Sequence, residues 1–428
     1  MSSMLEKKIL PSGSKVFIGE EVKKKRDIEE QIRGIFSLWG FKEIITPSFE
    51  FYAPDKESEY RDSEIFKTID LETGNLLSLR SDVTPQIAQI AGTVLESAPR
   101  PLRFSYVTNV FRYMNVSGTY QREFLQAGVE LIGLMSLEAD AEVIAIAVEC
   151  LRKIGVKDFK ISLSHGGFLA GIFNVLDLTQ DDKLKISEAI SRRDESSLDQ
   201  LLKGKRNGKK DANILKNLAR LFGDYSVLEY ADKSVKNPTS RKSVKELKKV
   251  YEILDLYGLT EQIVFDLADF RDFNYYTGVI FEGFVSGVGS PVCGGGRYDR
   301  LLKNFGTDDL GTGFAIDLDS LSNVVNNLDN EIKKKSFLVV DFSSSKKNGI
   351  EVSRKLRDLG YVASRDIMRR ELKDSLTFAR ESKFDYCLVI DTKSVRTKKI
   401  QVLTSNGVEV TISSIDEIVD RLKEGGTL

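Results

Sequence analysis

Two stretches of this chain gather side chains that could wall a small polar pocket. Residues 269–299, D-F-R-D-F-N-Y-Y-T-G-V-I-F-E-G-F-V-S-G-V-G-S-P-V-C-G-G-G-R-Y-D, place Arg271 near Tyr275 and Tyr276 and end in a glycine triplet followed by Arg297. Residues 79–133 add Asp82, Thr84, Arg112, Arg122, Gln126 and Glu130. The first stretch reads as a β-hairpin with a polar cluster at one end and glycines at the other, where a second backbone can come close. A small-molecule pocket suits that combination, although on this stretch alone a plain hairpin with a buried tyrosine pair explains it better. In the second stretch, period-two alternation sets Arg122, Phe124, Gln126 and Glu130 on one sheet face. A buried acid and amide there need partners, and either a bound ligand or an internal Arg122–Glu130 ion pair would serve. The spacing leaves both open.

Other chemistries are scarce. His165 is the only histidine, with no cysteine or histidine neighbour at ligand spacing, so histidine-based acid–base chemistry and His-rich metal sites are nearly excluded and a satisfied loop or core role is expected. No metal site and no catalytic residue is assigned. Cys150, Cys293 and Cys387 are far apart, which argues against a disulfide framework and for a reducing compartment. With 428 residues, 41% apolar, 30% charged and a formal net charge of −1, the chain reads as a soluble globular protein. Roughly two to four domains fit this length. No basic field advertises nucleic acid, no apolar run is long enough to span a membrane, and the first residues lack a signal-peptide core, so a cytoplasmic location is expected.

The elements that must position those side chains follow from periodicity. Apolar residues Ile28, Ile32, Ile35, Phe36 and Trp39 fall at helical spacing and Gly40 supplies the stop. A short β-like run ends before Pro47, and residues 65–69 and 75–79 flank a turn at 72–74. Thr84 and Pro85 look like the N-cap and first turn of a helix. Strands are expected over 104–113 and 122–132, joined through Asn115, Ser117 and Gly118, then a helix over 139–154 and a strand over 159–163. Residues 181–257 turn Lys-, Glu- and Leu-rich with helical period, broken near 203–210 where a basic run reads as a solvated loop. Residues 311–321 suggest a strand-to-helix junction, residues 326–335 a polar linker, and residues 336–428 a small α/β domain with strands near 337–340, 387–390, 399–404 and 408–412.

In order along the chain, these segments resemble the class II histidyl-tRNA synthetase fold. Residues 41–47 are similar to the dimer-forming first motif, L-R-S-D-V-T at 79–84 to the substrate-binding loop, and F-R-Y-M-N-V-S-G-T-Y-Q-R-E-F-L-Q-A-G-V-E at 111–130 to the second motif. R-D-F-N-Y-Y-T-G at 271–278 resembles the histidine-specific motif, and G-F-A-I-D-L-D-S-L the third. Several signatures in order are far more specific than any one. The resemblance implies an α+β fold: a class II aminoacyl-tRNA synthetase-like antiparallel sheet with flanking helices over 1–180 and 258–328, a helical insertion over 181–257, and an anticodon-binding-like α/β domain over 336–428.

The resemblance also separates two branches, the true synthetases and the regulatory subunits of ATP phosphoribosyltransferase. In a synthetase the second motif carries a glutamate where Met114 stands. The third motif ends Gly-Leu-Glu-Arg where this chain has Asp317-Leu318-Asp319-Ser320. A cation is lost and a carboxylate gained, which should disfavour ATP by several kcal/mol, as an order of magnitude, in a partly dry site. The amino-acid side is kept. By resemblance Asp82, Thr84, Gln126 and Glu130 hold the amino group and imidazole of histidine, Tyr275 and Tyr276 the ring, and Arg112 and Arg271 the carboxylate, the expected complement of a zwitterion.

The regulatory branch is therefore the expectation: no catalysis in this chain, histidine as allosteric ligand, a short-form catalytic subunit as partner, and a homodimer within a hetero-oligomer. Magnesium, ATP and phosphoribosyl pyrophosphate would act at the partner. A synthetase with divergent motifs is the alternative, and an RNA-binding or signalling module on the same scaffold the third. Many regulatory subunits lack a C-terminal domain, so its presence here is a departure.

Overall fold

In the computed structural model, the described residues are 11–52, 62–116, 119–176, 178–203, 213–269, 276–325, 336–368, 370–391, 396–397 and 399–423. The helix Glu20–Leu38 buries Ile28, Ile32, Ile35 and Phe36 along one face, as its 3.6-residue pattern requires, and turns Lys23 outward. It stops because Gly40 takes φ +82°, which lets Gly40 N donate to Ser37 O and Phe41 N to Phe36 O.

A nine-stranded sheet forms the centre, ordered Lys42–Glu43, Leu102–Val116, Thr119–Ile132, Gly311–Asp317, Cys293–Arg297, Val279–Val285, Phe159–His165, Ile263–Asp266 and Phe222–Gly223. All neighbours are antiparallel except the first pair and the pairing of Phe159–His165 with Ile263–Asp266. The fold is α+β. Its middle needs glycine, because a Cβ on Gly295 would lie 2.1 Å from Gly313 O and one on Gly296 2.4 Å from Val279 O. The glycine triplet is thus the place of close backbone approach that the sequence suggests.

The helix Leu137–Lys153 lies against this sheet and is buried along almost its whole length, capped by Ser136, whose hydroxyl accepts from Glu138 N at 3.1 Å. One apolar core runs from this helix through the sheet into the helices Gln180–Ser191, Glu195–Leu202, Ser226–Ser234 and Pro238–Leu256. The helical segment after residue 180 therefore shares the sheet's core, and the strand pieces Phe222–Gly223 and Ile263–Asp266 stitch it to the sheet edge. The basic run at 204–210 and the linker at 326–335 lie outside the described residues.

Residues 336–423 build a second, five-stranded sheet with Ser336–Asp341 between Val362–Arg365 and Tyr386–Ile390, both parallel to it, followed by antiparallel Lys399–Thr404 and Glu409–Ser414. The strand Val362–Arg365 is absent from the sequence expectation. It is only four residues long, and its polar Ser364 and Arg365 are buried by tertiary contacts that no periodicity announces. Two further expectations change. Thr84 is the first residue of the helix Thr84–Gly92 rather than its cap. The N-cap is Val83, and the acceptor for Thr84 N is Asp82 Oδ1 at 3.3 Å. The Arg122–Glu130 ion pair does not form. The Arg122 guanidinium stacks over Tyr113 at 5.3 Å, and Glu130 has other partners.

Candidate ligand-binding site

The long hairpin Leu102–Val116 and Thr119–Ile132 carries the floor of the site. Its register sets Phe104 opposite Glu130, Thr108 opposite Gln126 and Val110 opposite Phe124. On the other side Glu130 faces Gly313 and Gln126 faces Asp317. Gly313 is the reason Glu130 fits, since a Cβ there would fall 2.0 Å from Glu130 Oε2. Glu130 is 1% exposed. The Thr84 hydroxyl donates to its Oε1 at 2.6 Å, and the Tyr298 hydroxyl donates to its Oε2.

Burial pushes the Glu130 carboxyl up to about 8, with the nearby Asp82 charge adding to the rise against the two hydroxyl donors. At that value the carboxyl is mostly protonated at pH 7. Burial, reinforced by the Glu130 carboxyl, also raises the Tyr106 and Tyr298 hydroxyls well above their ordinary range. The buried Tyr106 hydroxyl makes no hydrogen bond of standard geometry among the described residues. Gln126, four residues before Glu130 on the same face, is nine-tenths buried and its Oε1 has no partner among the described residues. Such an orphaned acceptor marks a place where a ligand N–H would be satisfied.

One apolar cluster draws the remaining walls together: Val83, Tyr106, Phe124, Tyr276, Ile280 and Tyr298 pack on each other. Tyr276 is pinned by glycines, because a Cβ on Gly166 would meet its carbonyl at 2.9 Å and one on Gly296 its ring at 3.1 Å. The Arg112 guanidinium, also buried, lies 5.1 Å from the Phe124 ring centre. Asp82, Thr84, Gln126, Glu130, Arg112 and Tyr276 are thus gathered around one small region. Arg271 and Tyr275 lie outside the described residues. Tyr106, Tyr298 and Gly313 belong to the same site and were not singled out from sequence. Tyr298 follows Arg297 directly in the glycine-rich stretch, which was its only signal. Arg297 itself faces away from the pocket chemistry, bonded to Asp140 at 2.9 Å and to the carbonyls of Leu134 and Ser136.

The adjoining wall is built differently. Asp317 caps the short helix Leu318–Ser322, its Oδ1 accepting from Asp319 N and Ser320 N and its Oδ2 from the Ser320 hydroxyl at 2.6 Å. Asp319 pairs with Lys25 and accepts from Leu125 N at 3.0 Å. The nearby cation is therefore already neutralised by an acid, and Ser320 contributes a hydroxyl to a cap. Met114 pairs through its backbone with Gln121, and its side chain lies outside the described residues. His165 is satisfied structurally, accepting from Gly167 N at 3.0 Å and bonded through Nε2 to Glu246 at 2.9 Å.

Residues 16–321 match the histidyl-tRNA synthetase family. The ATP phosphoribosyltransferase regulatory subunit of Geobacter metallireducens is 37% identical over 399 residues, covering 90% of this chain and 92% of that protein. The chain belongs to the ATP phosphoribosyltransferase regulatory subunit family. A relative of the same name from Caldanaerobacter subterraneus is 42% identical over 311 residues, 72% of this chain and 81% of its own length. A crystal structure titled ATP phosphoribosyltransferase regulatory subunit/histidyl-tRNA synthetase, from Bacillus halodurans, aligns with a TM-score of 0.68 at 29% identity, covering 91% of this chain and 99% of that one. The Geobacter match leaves only a tenth of the chain uncovered, so it reaches into the C-terminal α/β domain. Possession of that domain does not set this chain apart from the regulatory-subunit family.

Proposed function

We propose that this chain is a non-catalytic regulatory subunit of ATP phosphoribosyltransferase, required by a short-form catalytic subunit and acting as its histidine sensor. The carrying observation is the asymmetry of the site. Glu130 is buried and held by the Thr84 and Tyr298 hydroxyls, whereas the neighbouring third-motif position is a helix capped by Asp317 with Ser320 in its first turn. In this reading Asp82 and Glu130 meet the ammonium and imidazole of histidine, Gln126 and Thr84 orient them, Tyr275 and Tyr276 line the ring, and Arg112 with Arg271 holds the carboxylate. Feedback then requires that histidine bind the inhibited state of the assembly more tightly, typically by about 1–3 kcal/mol. This chain itself needs no cofactor. Magnesium, ATP and phosphoribosyl pyrophosphate meet at the catalytic partner, in the cytoplasm.

A homodimer within the hetero-oligomer is part of the proposal. Its support is the exposure of large apolar side chains in this region, Ile45 at 88% and, on one face of the small sheet Phe49–Phe51, Lys67–Ile69 and Leu76–Leu79, Phe49 and Phe51. The decisive experiment mixes the purified chain with a short-form catalytic subunit and measures phosphoribosyl-ATP formation with and without histidine. Activation that histidine reverses is expected, and Glu130→Ala should remove the reversal while the assembly persists on a sizing column. Absence of activation, or transfer of histidine to tRNA by the chain alone, would overturn the proposal.

A further inference from the structure

The C-terminal α/β domain holds a second polar crevice, of about 400 Å³, lined by Val340 to Ser344, Lys346, Asp366 and Arg370. It lies where the topology reverses. The chain leaves Ser336–Asp341 through the helix Lys347–Asp358 to reach Val362–Arg365 on one side. It then passes through the helix Leu372–Glu381 to Tyr386–Ile390 on the other. In open parallel sheets the crevice outside the strand ends at such a reversal is where ligands bind, because no helix covers it there.

We propose that this crevice binds the phosphate group of a small phosphorylated metabolite. Its carboxylates are committed to the scaffold. Asp341 accepts from Ser343 N at 2.8 Å and Gly349 N at 2.9 Å, and Gly349 permits this because a Cβ would lie 2.6 Å from Asp341 Oδ2. Asp366 accepts from Met368 N, Arg370 Nη1 and the Ser375 hydroxyl. What remains is a set of donors. The amides of Lys347 and Asn348 open the twelve-residue helix and donate to no group among the described residues. Lys346 uses one N–H on Asp341 O at 2.6 Å and has two more, whereas the Arg370 guanidinium is already spent on Asp366 and Arg100 O and serves to neutralise the Asp366 charge. Independently of the helix end, Ser343 lines the crevice at 9% exposure, and its buried hydroxyl has no hydrogen-bond partner among the described residues. Phe342, 44% exposed, stands at the rim as an apolar wall for the organic part of the ligand. A volume of this size takes one small molecule rather than a polymer.

Arg370 also bonds to Arg100 O in the central domain, and Arg100 in turn donates to Ala91 O near the end of the helix Thr84–Gly92. A ligand in the crevice therefore touches a residue two hydrogen bonds from the helix that begins with Thr84.

The test is calorimetry and phosphorus NMR on the full chain with ribose 5-phosphate and, separately, inorganic phosphate, for wild type, Ser343→Ala and Lys346→Gln. Circular dichroism checks that both variants fold. Saturable binding is expected, weakened about tenfold by Lys346→Gln and several-fold by Ser343→Ala, the loss that one charge-assisted and one neutral hydrogen bond would cause. Tighter binding of ribose 5-phosphate supports an organic ester as ligand, and equal binding of inorganic phosphate supports the free ion. No saturable binding of either probe, or binding that both variants leave unchanged, overturns the proposal. So does binding of a single-stranded RNA alone, indifferent to Ser343→Ala.

Discussion

At the scale of single residues, Glu130 decides how the candidate site responds to pH. Its carboxyl ordinarily titrates at 4.5 and is pushed up to about 8 in the folded chain, chiefly by burial. Between those values the native state holds a proton that the unfolded state has lost, so stability is fullest below about pH 4.5 and declines as pH rises toward 8. The total effect is on the order of several kcal/mol. Glu130→Gln, which mimics the neutral acid, should flatten that decline, and thermal melts of both proteins at pH 5.5 and 8 will check it. In the proposed complex an ammonium or imidazolium beside Glu130 would drive the proton off. Calorimetry at pH 7 in buffers of different ionisation enthalpy should then register proton release with histidine, lost in the variant. Gly313→Ala tests the packing behind the same carboxyl. A methyl 2.0 Å from Glu130 Oε2 and 2.4 Å from Val129 O cannot be accommodated without backbone movement, so a loss of about 1–3 kcal/mol is expected in urea denaturation.

Among elements, the informative junction is the one between the helix Glu20–Leu38 and the C-terminal domain. The Arg357 guanidinium stands 3.5 Å over the Trp39 ring, and its Nη1 donates to Ala363 O at 2.8 Å. The Trp39 indole N–H in turn donates to Glu149 at 2.9 Å. Arg365 reaches Tyr257 OH at 3.0 Å, with Glu138 at 3.5 Å. These arginines seat the second sheet on the first through buried, directional contacts. Arg357→Ala should cost about 2 kcal/mol or more, because a desolvated cation–π contact and a hydrogen bond go together. Loosening should appear as faster amide exchange in the strands Ser336–Asp341 and Val362–Arg365 while the central sheet stays protected.

For the whole molecule, the prediction concerns assembly. Ile45 and Phe51 are large apolar side chains left in water by the single chain, and a dimer contact would cover them. Charged substitutions, Ile45→Glu with Phe51→Glu, should shift sedimentation of the isolated chain toward monomer while leaving its circular dichroism unchanged. If histidine sensing depends on the dimer, activation of the catalytic subunit should fall in parallel.

Sequence by itself determined the class of this protein, because its signatures are local. Period-two alternation fixed the face that Gln126 and Glu130 share, helical spacing fixed the core face of Glu20–Leu38, and the motif order fixed the family. Ser320 already marks a departure from the synthetase third motif in the sequence alone. Tertiary structure alone decided the partners of those groups. Glu130 could be assigned to Arg122 or to a ligand from spacing. Only the arrival of Thr84 from one helix, Tyr298 from a distant loop and Gly313 from a neighbouring strand excluded the first. Likewise Thr84 reads as a cap until its hydroxyl is seen turned toward Glu130, and Asp317 reads as a carboxylate in place of a glycine until it is seen closing a helix end. The physical reason is common to all three. A polar side chain chooses among several acceptable partners, and that choice is made by desolvation and packing from segments far apart in the chain, which residue type and spacing do not encode.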